Sequence, residues 1–224
     1  MIDEFIAGMD DARAETALPD ERAIAIKRLG TVPYVAAWEA MQAFTDARED
    51  STRDEIWILE HEPVYTYGVA GREEHLPRAD AGIPLIKVDR GGQVTYHGPG
   101  QLVAYVLLDL RRRGITVRGL VRSLEQAILD LLAEFGLPGE RREGAPGVYV
   151  AGAKVAALGL RIRNGRSFHG LSLNVDMDLA PFEAIDPCGY PGLRVASLAS
   201  LGVHAPKEHV AERLVSNLLR EING

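Results

Sequence analysis

The sequence predicts an α+β fold built on a mainly antiparallel or mixed sheet. Three observations carry that expectation. Short apolar runs of strand length follow one another without regular alternation with helices. One run, Leu102-Val103-Ala104-Tyr105-Val106-Leu107-Leu108, is apolar throughout, the pattern of a strand buried on both faces. Two segments place apolar residues on one helical stripe: Leu120, Leu124, Ile128, Leu131, Leu132 and Phe135, then Val210, Leu214, Leu218 and Ile222.

Taken in order, the chain begins with an acidic stretch, residues 1–28, read as a tail ahead of one domain spanning 29–224. No repeat, low-complexity tract or linker divides that domain. Residues 35–45 predict a helix, with Val35, Trp38, Met41 and Phe44 three apart and Pro33 just before it. Ile56 to Leu59, Val64 to Tyr67 and Leu85 to Val88 read as strands. Arg90 to Gly100 is a Gly-rich loop leading into the apolar run. Thr116 is the expected N-cap of the clearest helix and Gly136 its stop. Gly147 to Ala151, Lys154 to Ile162 and Phe168 to Val175 follow as strands, with Ala151-Gly152-Ala153 as a tight link.

Of the 224 residues 46% are hydrophobic, enough for a sizeable core. No apolar run approaches the ~20 residues that cross a bilayer. Met1 to Asp20 is polar and acidic, which predicts no secretory signal. The single cysteine, Cys188, cannot form an internal disulfide or a thiolate metal site and fits a reducing, cytoplasmic setting. A net charge of −7 argues against a general nucleic-acid binder. The charge is uneven: Arg111 to Arg166 holds eleven basic residues against five acidic ones. That window is either a solvated face or a docking surface for an acidic partner.

Three segments place polar residues among glycines in a way that core formation does not explain. In Arg90-Gly91-Gly92-Gln93-Val94-Thr95-Tyr96-His97-Gly98-Pro99-Gly100-Gln101 the glycines allow close approach of backbone to a ligand, or simply a turn into a hairpin. The Gly-Lys-Ser/Thr of a phosphate loop is absent. In Gly152 to Gly159, Lys154 stands in a strand of small apolar residues, either as an edge-strand lysine or as a desolvated base facing a cleft. The third segment runs Phe168-His169-Gly170-Leu171-Ser172-Leu173-Asn174 and on to Asp186-Pro187-Cys188-Gly189. A lone cysteine is commonly a small buried hydrophobe, whereas one between proline and glycine suits an exposed turn. A reactive thiolate needs a nearby base or cation, for which the chain offers Lys154, His97 and His169.

Together these motifs resemble, in order and approximate spacing, the octanoyltransferases of lipoate biosynthesis, over roughly Leu29 to Leu201. The resemblance implies a mixed, largely antiparallel sheet flanked by helices, like the catalytic domain of biotin and lipoate protein ligases. It implies transfer of an octanoyl group from acyl carrier protein to a lysine of lipoyl domains, those of 2-oxoacid dehydrogenase E2 subunits and of the glycine cleavage H protein. Neither ATP nor metal is expected, and neither nucleic acid nor membrane is an expected partner. Carried over by motif, Cys188 is the acyl-accepting nucleophile and Lys154 its activating partner. Arg90, Gly91, Gly92, Gln93, Val94, Thr95, Tyr96 and His97 would line the acyl site, with Ala157, Leu158, Gly159, Gly170, Leu171 and Ser172. Acyl carrier proteins are acidic as a class, which turns the basic window into an expected docking surface. Three rival readings remain: an ATP-dependent ligase on the same fold, a cysteine hydrolase using Cys188, His169 and Asn174, and an acyl-binding module with an inert thiol.

Overall fold

The computed structural model describes residues 23–77 and 82–224, and for Cys188 the backbone alone. In chain order the elements are β1 (Ile24–Val32), α1 (Tyr34–Ala47), β2 (Asp54–His61), β3 (Val64–Tyr67), β4 (Leu85–Lys87) and β5 (Val94–His97). Next come β6 (Gln101–Leu107), the short α2 (Leu110–Arg113), α3 (Val117–Glu134), β7 (Gly139–Arg141) and β8 (Gly147–Val150). The chain ends with β9 (Ala153–Arg163), β10 (Arg166–Asn174), the short α4 (Ala180–Glu183) and α5 (Lys207–Asn223). Among the described residues, seven strands form a sheet in the order β1-β2-β6-β10-β9-β8-β7, and β4-β3-β5 form a smaller one. In the large sheet only β1 and β2 run parallel, so it is mixed and largely antiparallel, as the sequence predicts.

Side-chain alternation along the strands gives the large sheet two covered faces. Ile56, Ile58, Leu102, Ala104 and Val106 face α3 and α5, whose buried stripes are Leu120-Leu124-Ile128-Leu131 and Val210-Leu214-Leu218. Trp57, Leu59, Val103, Tyr105 and Leu107 face α1 through Ala37, Ala40 and Met41. Helix α3 starts where expected: the Thr116 hydroxyl accepts from the Gly119 N–H at 3.0 Å. Gly136, with φ of +73°, follows its end. Ala151 and Gly152 both take positive φ, the geometry of a tight hairpin turn between β8 and β9.

Several elements depart from expectation. The expected start of the domain at residue 29 falls inside β1, while residues 1–22 of the acidic tail lie outside the described residues. Along β1 only Ile24 and Val32 are buried, and Ile26 and Leu29 pack half-buried against the two cores. In α1 the buried stripe is Tyr34-Ala37-Met41-Thr45 and Val35 is exposed. A strict three-residue step drifts around a 3.6-residue helix, which rotates Val35 off the stripe. The Gly-rich loop contains β5, an edge strand that pairs with β3 in a small sheet that local patterning did not reveal.

The basic window is not one surface. Arg112 donates to the Asp54 carboxylate at 2.7 Å, Arg113 and Arg48 hold the same carboxylate, and Asp54 is fully buried. Arg141 pairs with Glu125, Arg163 with Asp46 and Arg166 with Asp109. The Asp54 cluster lies at the Leu107 end of β6, roughly 20 Å along the strand from Gln101 at 3.3 Å per residue. Among the described residues no helix is long and apolar enough to cross a membrane.

Candidate active site

Gly159 pairs with Gly170 and Gly170 with Tyr105, while Ala157 pairs with Ser172 and Ser172 with Val103. These positions share one sheet face, so β9, β10 and β6 offer a floor of mostly small residues. The roof is the segment from Arg90 to His97. The Gly91 N–H donates to the Leu160 carbonyl at 2.9 Å, which ties the roof to the free edge of β9 beyond β8. Arg90 reaches over Gly159, where an added Cβ would sit 3.0 Å from the arginine Cδ and 3.2 Å from the Gly91 carbonyl, so a larger residue would push on the roof. The Arg90 Nη2 group donates to the Thr66 carbonyl and hydroxyl at 2.9 and 2.8 Å. Floor and roof enclose a cavity of about 400 Å³, a size that suits a small ligand.

At the open end stand Lys154, Ala145, Pro146 and Tyr190. Lys154 is buried, and its Nζ lies 5.4 Å from the centre of the Tyr149 ring. Its stem runs against Gly147, where an added Cβ would sit 2.5 Å from Lys154 Cε and where φ is also positive, at +136°. The Lys154 N–H donates to the Arg194 carbonyl at 2.8 Å, and the Ala196 N–H donates to the Lys154 carbonyl at 2.9 Å. This short pairing docks the 194–196 segment against the start of β9. Pro187 thereby comes to share a crevice with Lys154, Thr95 and Ala157. Cys188 occupies the following position, in the 3₁₀ turn Pro187–Gly189. Its side chain lies outside what the structure describes. The Gly189 N–H donates to the Asp186 carbonyl at 2.9 Å, and Gly189 packs on the Gln93 side chain.

The buried end is a cluster of rings. Tyr34 stacks on His97 at 5.7 Å, His61 lies 5.8 Å from His97 and 5.7 Å from Tyr105, and Tyr105 lies 6.0 Å from His169. Burial lowers the pKa of His61 to about 4 and drives those of His97 and His169 down, so all three are neutral at pH 7. Their partners fix the tautomers. His61 Nδ1 donates to the Val32 carbonyl at 2.9 Å, so Nε2 accepts from the Tyr105 hydroxyl at 2.6 Å. His97 Nδ1 donates to Gln101 Oε1 at 2.6 Å. His169 Nε2 donates to Asp89 at 3.0 Å. Burial works to raise the Asp89 carboxyl, but hydrogen bonds from His169, Trp38 and Gln42 outweigh it and hold it well below the usual range.

Residues 33–219 match the lipoyl protein ligase A/B catalytic domain family. The octanoyltransferase of Azoarcus sp. (strain BH72) is 61% identical over 215 residues, covering 96% of this chain and 93% of that protein. The octanoyltransferase of Paraburkholderia xenovorans (strain LB400) is 57% identical over 218 residues, covering 93% and 90%. The chain belongs to the octanoyltransferase family. In fold, a bipartite lipoate protein ligase from Thermoplasma acidophilum aligns with a TM-score of 0.70 at 17% identity, over 89% of this chain and 84% of that one. A biotin protein ligase from Aquifex aeolicus, solved with biotin and ATP, aligns with a TM-score of 0.54 at 11% identity, over 89% and 69%. At such identities the likeness is one of fold alone, and it is the fold that the sequence resemblance implies.

In this octanoyltransferase-family chain the structure gathers Arg90, Gly91, Gly92, Gln93, Val94, Thr95 and His97 around the cavity. With them stand Lys154, Ala157, Leu158, Gly159, Gly170, Leu171 and Ser172. Tyr96 is not among them. Alternation along β5 turns its ring away, against Tyr65 and Phe182 at 5.5 Å each. Asn174 and His169 do not pair with each other. Asn174 accepts from Gln101 Nε2 and donates to the Ala196 carbonyl, both at 2.9 Å, while His169 is turned to Asp89. Sequence reasoning missed Tyr34, Tyr105, Val103 and Tyr190 on the wall, with His61 behind it. The available signal was polar-tipped rings, His61 and Tyr105, set in otherwise apolar strands.

Proposed function

We propose that the chain transfers an octanoyl group from octanoyl-acyl carrier protein, through a thioester on Cys188, to a lysine of lipoyl domains. Those domains are those of the E2 subunits of 2-oxoacid dehydrogenases and of the glycine cleavage H protein, and the setting is cytoplasmic. The observation that carries the reading is the short pairing of Lys154 with Arg194 and Ala196, which brings the Pro-Cys-Gly turn alongside a buried lysine at the mouth of a cavity.

The Lys154 amine takes the proton of the Cys188 thiol, and the thiolate attacks the carbonyl of the carrier-bound thioester. When the tetrahedral intermediate collapses, the carrier's thiolate leaves and recovers that proton from the Lys154 ammonium. The cavity holds the acyl chain while the partners exchange. The acceptor lysine then attacks the enzyme thioester as a neutral amine, its proton passes to Lys154, and the Cys188 thiolate leaves as the amide forms. Exchange of one thioester for another is nearly thermoneutral, so the reading needs neither nucleotide nor metal. His97 and His169 are poorer bases for the thiol, because burial lowers the pKa of both rings.

The test is incubation with octanoyl-acyl carrier protein without nucleotide, followed by mass spectrometry. The expected result is one octanoyl adduct on Cys188 that disappears when a lipoyl domain is added. Cys188→Ser should fold and form no transferable adduct. Lys154→Met, which keeps the apolar stem, should acylate slowly at neutral pH and recover part of its thiol reactivity at higher pH. Transfer that requires ATP, or that persists in the serine variant, would overturn the reading.

A further inference from the structure

Beside the mouth of the cavity lies a second crevice, of about 420 Å³, that the acyl-transfer chemistry leaves unused. The two share Ala145 and Tyr190, so they open side by side. The Tyr190 hydroxyl donates to the Gly144 carbonyl at 3.2 Å, which ties the segment after Cys188 to the loop ahead of β8. Within the crevice Arg142 and Arg194 converge over Gly152. A Cβ added at Gly152 would lie 3.3 Å from Nη2 of each guanidinium, so glycine keeps the space beneath them open.

Both guanidiniums are held without being neutralised. Arg142 lies over the Tyr149 ring at 4.5 Å, and the Tyr149 hydroxyl donates to the Ala145 carbonyl at 3.0 Å. Glu140, itself exposed, approaches Arg142 only to 3.4 Å. Arg194 donates to the Ala151 carbonyl at 2.8 Å and forms no ion pair with any described residue. Among the described residues Glu143 is the one acidic member of the lining, which leaves the crevice one positive charge in excess. A phosphodiester is its complement: it carries a single negative charge, and its oxygens match the paired N–H groups of arginine.

The donor brings such a group to this place. The thioester of an acyl carrier protein ends a phosphopantetheine arm, which a phosphodiester joins to the protein. Lys154 Nζ and Arg142 Cζ lie 5.4 and 4.5 Å from the centre of the same ring, so they are no more than about 10 Å apart. The arm has thirteen bonds from sulfur to phosphorus and reaches up to roughly 16 Å. A phosphate held in the crevice therefore leaves the thioester free to reach Lys154. The carrier's own carboxylates begin only beyond the far end of the arm.

We propose that the crevice between Arg142 and Arg194 binds the phosphodiester of the donor's phosphopantetheine arm. The contact anchors the arm beside the Pro187–Gly189 turn and delivers the thioester to it. This rests on the reading of acyl carrier protein as the donor.

The experiment compares two carrier-free donors, octanoyl-phosphopantetheine and octanoyl-pantetheine, with octanoyl-acyl carrier protein alongside. The readout is kcat/KM for acyl-enzyme formation, taken as the ratio of the two small donors, which the folded fraction of a sample does not move. In the wild-type protein the phosphorylated donor should be faster by about tenfold. That advantage should shrink as salt rises, because the crevice is open to solvent. The double variant Arg142→Gln, Arg194→Gln should bring the ratio close to unity. A ratio near unity in the wild type, or one that the double variant leaves intact, overturns the proposal. So does acceptance of octanoyl-acyl carrier protein with neither small donor used. A wild-type ratio near unity, with the variant slower on octanoyl-acyl carrier protein, would assign the arginines to carboxylates of the carrier instead. Failure of octanoyl-acyl carrier protein itself to acylate the wild-type protein would sink the acyl-transfer reading, so the two failures are distinguishable.

Discussion

His61 sits where three strands meet, between the Val32 carbonyl and the Tyr105 hydroxyl, with no exposure to solvent. Its folded pKa of about 4 lies below the 6.5 of an unfolded histidine. Between those values the unfolded chain binds a proton that the folded one refuses, so stability rises with pH across that window and is lost as pH falls through it. Over the full window the difference for His61 amounts to roughly 3 kcal/mol. His97 and His169 shift in the same direction and add to the loss. Melting temperature should therefore be flat above pH 7 and fall steadily from pH 6.5 to 4.5. His61→Gln, which keeps a donor and an acceptor, should fall less steeply. An unchanged slope in that variant would show that the histidine does not report acid in the folded state.

At the scale of elements, two 3₁₀ turns hold the backbone around Cys188. His75 ends the turn Glu73–His75, and its Nδ1 lies 3.2 Å from the carboxylate of Asp186. The Asp186 N–H donates back to the His75 carbonyl at 3.3 Å, and the Asp186 carbonyl accepts from Gly189. On the other side Gln93 accepts from the Arg72 N–H at 3.1 Å while packing on Gly189. His75 is thus a positioning residue for the Pro187–Gly189 turn. Losing a hydrogen bond to a carboxylate costs about 1.5–3 kcal/mol, so His75→Ala should lower kcat for acyl-enzyme formation by about tenfold or more. KM for the donor should hardly change, and His75→Asn should restore part of the rate. A change confined to KM would mean that the pair does not set the turn.

Across the whole molecule, the basic residues divide by which end of the sheet they occupy. Arg48, Arg112 and Arg113 converge on buried Asp54 at the end remote from Lys154. Arg142 lies over Tyr149 at 4.5 Å, on the ring that also faces Lys154. Reversing Arg113 to Glu would set two carboxylates against each other in a buried place. Breaking such a pair costs about 3–5 kcal/mol, which for a domain of this size lowers the melting temperature by roughly 10 °C. The expected outcome of Arg113→Glu is lost thermal stability with an unchanged KM for carrier-bound donor in the folded fraction. A raised KM without lost stability would return these arginines to a docking role.

The sequence by itself determined what local patterning and side-chain chemistry encode. Leu120 to Phe135 and Val210 to Ile222 announce their helices because one face of each must leave water. Thr116 and Gly136 mark α3 because its terminal backbone groups need a cap and a left-handed stop. The glycines, Lys154 and Pro187-Cys188-Gly189 were legible because a cavity roof, a buried amine and a sharp turn each demand unusual residue types. Only the tertiary structure decided which of these meet. β1 joins the sheet although only its two end residues are buried, since pairing with β2 is a backbone interaction with little sequence signature. Tyr96 leaves the site, because strand alternation sends neighbouring side chains in opposite directions. The arginines of the basic window became a structural cluster once Asp54, more than fifty residues earlier, was folded against them. Tyr34, His61, His97, Tyr105 and His169 come from five separate elements or strand ends, and their neutrality is a property of shared burial. No residue's neighbours in sequence carry that information, because burial is set by what the rest of the chain places around it.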